Sequence, residues 1–389
     1  VNQQSGNILF KDLDTPSLLI DETIMVTNIE KMAVAASANQ VSLRPHAKTH
    51  KSAAIGRKQL EAGAVGLTLA KTSEAQTFVE KGISDIFLAY PVIGEKKIRR
   101  LLELSKQCRI SAGIDSVMGA AELNEAFANS AKPLPVLLEV DTGLGRTGVG
   151  EREIAGMAEE IKKMRNLSIK GVYTYRGALL NQIKDASAPA IVETVAKQGR
   201  EEAALIKRLA DDLRKIGINI EVISAGSTPT ALSVIAVPGV TEIRPGTYIF
   251  NDAMQVRLGA CGWRDCAAKI LTTVVSRPAA DRAIIDGGSK VFAGDVKPET
   301  FPLNLRGCGA IIGANGLPRE DIYFERMTEE HGMLVLGPTA QNLKIGERLM
   351  IVPNHICATV NLFNNLALIS MENQMVKEIL PVDGRGKTN

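Results

Sequence analysis

Between about residue 40 and residue 250 the chain alternates short, β-branched apolar runs with longer amphipathic stretches, and this alternation limits its fold more than any other feature. The runs fall at 43–47, 66–70, 85–90, 109–115, 135–141, 171–175, 221–226 and 242–246. Helical patterns fill most gaps, over 73–81, 95–106, 117–128, 151–164 and a long stretch at 191–216. About eight β-α units of this length predict an α/β chain folded as a (β/α)8 TIM-type barrel. A doubly wound open sheet is the alternative, disfavoured because no GxGxxG follows the first run.

After Asp252 the texture changes to short runs such as VFAGD, LRGCGAIIG, MLVLG and ERLMIVP, punctuated by Gly and Pro, which predicts a mainly β domain. The segment 16–21 (PSLLID) precedes the first barrel run and is expected to pair with that later sheet. The expected organisation is therefore a barrel over 22–252 and a mainly β domain made from 1–21 and 253–389.

Composition narrows the function classes. Forty-six Lys+Arg against 43 Asp+Glu, with no long basic run interleaved with aromatics, leave no electrostatic footprint for nucleic acid. No window reaches the roughly eighteen uninterrupted apolar residues that span a bilayer, and residues 1–11 are polar without a signal-type apolar stretch, so a cytoplasmic protein with no membrane partner is expected. The five cysteines are odd in number and lack CxxC or zinc-finger spacing, which argues against a disulfide framework. Cys108, Cys261, Cys266 and Cys308 read as packing or incidental thiols.

In such a barrel function sits at the carboxyl ends of the strands. The first run ends in RPHAKTHK (44–51), where Lys48 projects from the strand tip into the mouth and His46, His50 and Lys51 are expected to keep its amine neutral and nucleophilic. A solvated surface charge is the plainer reading of any one lysine, and position is what lifts this one. The fifth run, EVDTGLGRTG (139–148), carries Arg146 through a glycine-rich turn, either to the barrel axis or into a pair with Asp141. The sixth ends at Tyr175, which either meets a planar ligand or packs in the core. The seventh ends in SAGSTPT (224–230) and the eighth in RPGTY (244–248). Small residues there let backbone N–H groups approach a phosphate, and hydroxyls add donors. Each loop alone is an ordinary turn, but a phosphate site with a strand-tip lysine is the minimal description of a pyridoxal phosphate pocket.

In the later domain PNHICATVN (353–361) sets His355 and Cys357 two apart. In a strand that spacing puts imidazole and thiolate on one face, able to hold one zinc-like ion in an open site, although an isolated His-x-Cys is more often a packed cysteine.

Taken in order, DTPSLLID, LRPHAKTHK, EVDTGLGRTGV, TYRG, AGSTPT, RPGTY and PNHICATVN resemble the D-threonine aldolase and D-serine dehydratase family over nearly the whole chain. The resemblance implies a dimeric, fold-type III enzyme related to alanine racemase, with pyridoxal phosphate held as a Schiff base on Lys48. It further implies that Arg146 meets the cofactor's phenolic oxygen, Tyr175 flanks its ring, and Gly226, Ser227, Thr228, Gly246 and Thr247 hold its phosphate. His355 and Cys357 would bind a divalent metal, zinc by ligand softness, with manganese or magnesium as alternatives. The implied substrate is a small D-3-hydroxy amino acid. Two details lean toward dehydration over retro-aldol cleavage. The stretch YRGALLNQ (175–182) has Asn181 where the aldolases carry a histidine, and the metal pair is His-x-Cys, not His-x-Asp. An amino-acid racemase or a non-catalytic cofactor carrier would leave His355 and Cys357 unexplained.

Overall fold

The computed structural model describes Leu9 and residues 12–389, so the polar stretch read at residues 1–11 lies, Leu9 apart, outside the described residues. The chain forms two compact units. One holds Glu30–Gln182, Val192–Gly246 and Gly386–Asn389; the other holds Ile183–Ile191, Thr247–Arg385 and the described part of Val1–Ile29.

β1 (Ser17–Asp21) belongs to the second unit and runs into α1 (Glu22–Ala38), which crosses into the first. The first unit is built on eight strands: β2 (Ser42–Leu43), β3 (Leu67–Leu69), β4 (Asp85–Pro91), β5 (Arg109–Ile114), β6 (Leu134–Glu139), β7 (Leu167–Tyr173), β8 (Val222–Ala225) and β9 (Glu242–Ile243). They lie in the order β2-β9-β8-β7-β6-β5-β4-β3, and every neighbouring pair is parallel. Just past β2 a parallel bridge joins His46 to Thr68, with Ala47 N donating to Thr68 O at 2.9 Å, and this closes the sheet into the expected barrel. The connections carry α2 (Ala53–Glu61), α3 (Thr72–Glu80), α4 (Glu95–Ser105), α5 (Val117–Ala126), α6 (Ile154–Lys162), α7 (Ala188–Lys215) and α8 (Ala231–Ile235).

Local sequence explains these elements. In α4 the buried residues Ile98, Leu101 and Leu104 recur at helical spacing with Glu95 in the first turn, and Ser116 caps α5 by accepting from Gly119 N at 3.2 Å. Along the strands the period is two: Leu88, Val136, Leu138 and Val172 join the core beneath the helices, while Phe87, Leu137 and Tyr173 cluster separately. Tyr173 meets Phe87 edge to face, their centroids 5.0 Å apart.

The second unit continues with α9 (Ala253–Arg257), β10 (Ala268–Ala279), β11 (Arg282–Ile285), β12 (Gly309–Ile312), β13 (Ile322–Met327), β14 (Gly332–Leu336), β15 (Arg348–Pro353), α10 (Ile356–Val360), β16 (Asn365–Ser370) and β17 (Met375–Pro381). Its sheet has nine strands in the order β13-β14-β11-β10-β1-β16-β17, with β15 against β10 and β12 against β15. β1 pairs antiparallel with β10 and parallel with β16, so the segment before the barrel is completed by strands some 250 and 350 residues later. No helix among the described residues is long and apolar enough to cross a membrane.

Candidate active site

At the strand tips of the barrel unit lies a cavity of about 300 Å³ whose lining includes His46, Lys48, Glu139, Arg146, Tyr175 and Arg244. Lys48, Arg146 and Tyr175 are therefore brought together. The Tyr175 ring is shared by two cations, with Lys48 Nζ 5.3 Å and Arg146 Cζ 4.8 Å from its centroid. Of the two readings of Arg146 the structure has the one facing the cavity. Asp141 spends its carboxylate on Gly143 N and Gly145 N, at 2.9 and 3.1 Å, which folds the glycine turn and presents the arginine. Tyr175 is half-buried on the cavity wall, not in the core.

The expected electrostatics around Lys48 need correction. Burial, reinforced by Lys48, Arg244 and Arg146, drives the His46 imidazole well below its ordinary range, and burial lowers His50 to about 4. Both rings are neutral at physiological pH. His50 is a core group, bonded to Gln59 and accepting from Ser52 N, and Lys51 pairs with Glu74 at 3.2 Å. The cations that share the cavity with Lys48 are Arg146 and Arg244. Arg244 was not singled out by the sequence, nor was Glu139, which accepts from Tyr173 Oη at 2.9 Å and from Thr147 Oγ1 at 2.8 Å. Burial raises the Glu139 carboxyl above its usual value.

The glycine-rich loops stand where the barrel geometry requires. Gly226 follows β8 with φ +85°, and Ser227 and Thr230 close a tight turn in which Ser227 N donates to Thr230 Oγ1 at 3.0 Å. That bond occupies the Ser227 N–H, and the Ser227 hydroxyl lies 3.0 Å from the same Thr230 Oγ1. Thr228 follows in that turn. Gly246 approaches the Lys48 segment so closely that a Cβ would fall 2.9 Å from His46 O, so only glycine fits. Thr247 begins the second unit, where its hydroxyl lies 3.3 Å from Cys357 Sγ.

His355 and Cys357 are in contact, but not through a strand. β15 ends at Pro353; His355 is the extended residue before α10, and Cys357 lies in that helix's first turn. Burial opposes charge on His355, yet Asp295 and Cys357 outweigh it and raise the imidazole to about 11, while His355 in turn lowers the Cys357 thiol. The two side chains thus share a proton, and a metal would take the thiolate together with the neutral imidazole in place of that proton. Two carboxylates unseen in the sequence support the pair. Asp295 Oδ2 lies 2.5 Å from His355 Nδ1, and the fully buried Asp252 accepts from Ile356 N at 2.9 Å and from Gln255 N at 2.8 Å. Neither carries a motif, since their partners lie 60 and 104 residues away. Among the described residues no cluster of three or more His, Cys, Asp or Glu is arranged around one ion position.

A closed parallel barrel with a lysine cavity at its strand tips, continued by a mainly β unit, defines the alanine-racemase class of fold. Residues 20–253 match the alanine racemase N-terminal domain family, and residues 267–369 match the putative serine dehydratase domain. The chain is 31% identical to D-threonine aldolase of Arthrobacter sp, covering 98% of this chain and 95% of that protein. It is also 31% identical to D-threo-3-hydroxyaspartate dehydratase of Delftia sp. (strain HT23), covering 89% and 92%. A solved structure of a D-threo-3-hydroxyaspartate dehydratase, a cysteine-to-alanine variant in the metal-free form, superposes with a TM-score of 0.84 at 28% identity, covering 96% and 98%. The chain belongs to the family of D-threonine aldolase and D-serine dehydratase, pyridoxal-phosphate lyases with the alanine-racemase fold.

The residues present fit that cofactor: a lysine amine, an aromatic face and two guanidinium groups line one cavity, beside a loop where no Cβ is tolerated. A divalent metal fits the second unit's donor set by type, an imidazole and a thiol in contact, with Asp295 2.5 Å from Nδ1 of the imidazole as an outer carboxylate.

Proposed function

We propose that the protein is a pyridoxal phosphate- and divalent metal-dependent lyase that dehydrates D-3-hydroxy amino acids to 2-oxo acids and ammonia, in the manner of a D-serine dehydratase. The observation that carries this reading is the presence of two separate donor sets, the Lys48 cavity and the His355–Cys357 contact. A racemase or a carrier needs only the first.

When bound, pyridoxal phosphate supplies an electron sink for charge at Cα, and a divalent cation supplies a Lewis acid for the β-oxygen. Lys48 Nζ would hold the cofactor and then take the Cα proton, with Tyr175 fixing the ring plane and Arg146 neutralising the phenolic oxygen. Gly226, Ser227, Thr228, Gly246 and Thr247 would hold the phosphate. In the loop after β8 the bonds within the Ser227–Thr230 turn fix its shape, which leaves less of that loop's donor capacity for the phosphate than a free turn would offer. His355 and Cys357 would hold the cation, with water and substrate completing its shell; zinc suits the thiolate best, ahead of manganese and magnesium. The homodimer and the cytoplasmic setting expected from the sequence belong to the same proposal.

Retro-aldol cleavage to glycine and an aldehyde is the second reading, favoured by the length of the match to D-threonine aldolase. It needs a base for the β-hydroxyl, and Asn181, exposed in the 3-10 turn Leu180–Gln182, offers none. The deciding experiment is proton NMR of the products formed from D-threonine by the protein supplied with pyridoxal phosphate and zinc or manganese, with L-threonine as control. 2-Oxobutyrate is expected. Glycine with acetaldehyde would replace dehydration by aldol cleavage, and no product from D-threonine or D-serine would remove the lyase reading. His355→Ala is expected to lose both metal and activity.

A further inference from the structure

One face of α7 is turned toward the tips of both β7 and β8. Gln198 grips Leu179 from both sides: Leu179 N donates to Gln198 Oε1 at 2.9 Å, and Gln198 Nε2 donates to Leu179 O at 3.1 Å. One turn on, Glu202 Oε1 accepts from Arg176 N at 3.0 Å, and the Gly226 N–H is near enough to this carboxyl to favour its charged form. Between them Gly199 is pressed against the loop that follows β8. A Cβ there would fall 2.1 Å from Ser233 Oγ and 3.0 Å from Thr230 Cβ. Three residues within five positions thus touch the loop that carries Tyr175 and the loop from Gly226 to Thr230.

Glu202 is an expensive residue to place there. Its side chain is fully buried and its Oε2 has no hydrogen-bond partner, whereas an apolar residue would fill the same space without desolvating a carboxyl. What a leucine could not do is accept the Arg176 N–H of one strand-tip loop while offering a carboxyl to the Gly226 N–H of the other.

We propose that Glu202 is a positioning residue for the cofactor: with Gln198 and Gly199 it locks the Tyr175 loop to the Gly226–Thr230 loop and so sets the shape of the phosphate cradle. The proposal rests on the reading of the Lys48 cavity as a pyridoxal phosphate pocket. It separates two parts of cofactor binding, because pyridoxal carries the same aldehyde and ring as the cofactor but no phosphate. A group that shapes the phosphate cradle acts more strongly on the phosphorylated aldehyde than on the other.

The test uses the full-length protein freed of cofactor with hydroxylamine and then titrated with pyridoxal phosphate or pyridoxal. Binding is followed by visible absorbance, and the Lys48 adduct is confirmed by borohydride reduction and mass spectrometry. In Glu202→Ala the affinity for pyridoxal phosphate is expected to fall about tenfold or more and that for pyridoxal by clearly less, because Tyr175, whose loop Glu202 also holds through Arg176 N, serves both aldehydes while the loop from Gly226 to Thr230 serves only the phosphate. Glu202→Gln keeps the Oε1 acceptor and is expected to bind both aldehydes within about threefold of the unaltered protein. Unchanged phosphate-ester binding by Glu202→Ala, an equal loss of both aldehydes, or a Glu202→Gln as weak as Glu202→Ala would each overturn the proposal. Should Glu202→Ala not fold by circular dichroism, Gly199→Ala, which disturbs Thr230 of the loop after β8 and Ser233 of α8, is read by the same criteria. An unaltered protein that takes up neither aldehyde overturns the pocket reading itself, whereas normal uptake with indifferent variants overturns the role of Glu202 alone.

Discussion

Glu202 also reports on the energetics of burying a carboxyl. Burial pushes it up to about 7, against an ordinary value of 4.5, and the backbone N–H groups of Arg176 and Gly226 offset only part of that. Because the folded carboxyl holds its proton more tightly than the unfolded one, the stability it allows is full below about pH 4.5 and is lost as the pH rises through about 7. The difference is worth about 3 kcal/mol at most. Glu202→Gln is therefore expected to raise the melting temperature of the cofactor-free protein at pH 8 and to leave it nearly unchanged at pH 4.5. Equal shifts at both pH values would show that the charge is not what costs stability. Asp295 is the other informative residue. It sets the His355 ring by its contact with Nδ1, so Asp295→Asn is expected to weaken zinc binding about tenfold to a hundredfold, measured by calorimetry, with the fold intact. At this scale the sequence disclosed side chains whose meeting at one cavity follows from strand-tip position, such as Lys48, Arg146 and Tyr175. It expected His46 and His50 to help keep the Lys48 amine neutral, whereas burial lowers both imidazoles, a property that neighbouring letters do not express.

Among the elements, α10 shows how a spacing argument can reach the right contact by the wrong geometry. His-x-Cys shares a face in a strand, but here the same pair meets because an extended residue precedes a helix. Asp252 makes that possible. It caps α9 with one oxygen and holds Ile356 N at the start of α10 with the other, joining two short helices that neither propensity nor length would stabilise alone. Asp252→Ala strands two buried donors and is expected to cost about 2 to 4 kcal/mol in urea unfolding, with Asp252→Asn, which keeps one acceptor, falling between. A loss below about 0.5 kcal/mol would mean that water replaces the carboxylate. The longer elements were legible from periodicity: all eight barrel strands lie within or overlap the expected runs, and α4, α5 and α7 lie close to their expected bounds. Short helices such as α9 and α10 were not, since five residues carry too little pattern.

For the molecule as a whole, the barrel must close, and β2 and β9 are only two residues long at the seam. Arg44 reinforces that seam. Its Nε bonds Glu242 Oε2 at 2.7 Å and its Nη1 bonds Asp85 Oδ1 at 2.5 Å, tying β2 to β9 on one side and to β4 on the other. Glu242 is nearly buried, so Arg44→Met leaves its carboxylate without the guanidinium and is expected to cost about 3 to 5 kcal/mol. Adding Glu242→Met to the same variant should recover only part of this, because it removes the unpaired carboxylate but also takes the acceptor 2.7 Å from Ser224 Oγ and a counter-charge of the buried Arg244. Denaturant titration of both variants checks this, and a double variant no more stable than the single one would refute it. The second unit closes differently: β1 is gripped by β10 and β16, so chain order and spatial order diverge.

Periodicity along the chain was enough to give the α/β class, the eight-strand repeat, the change to β structure after Asp252 and the residue types offered at each strand tip. All of these follow from periodicity and from neighbours within a few positions, where backbone geometry ties the sequence directly to which side chains share a face. Only the tertiary structure decided that His46 and His50 are neutral, that Asp295 and Asp252 stand behind His355 and α10, and that Glu202 joins two loops. Those are consequences of burial and of contacts between residues 24 to 104 positions apart, and both the desolvation of a group and the identity of a distant partner exist only once the chain has folded.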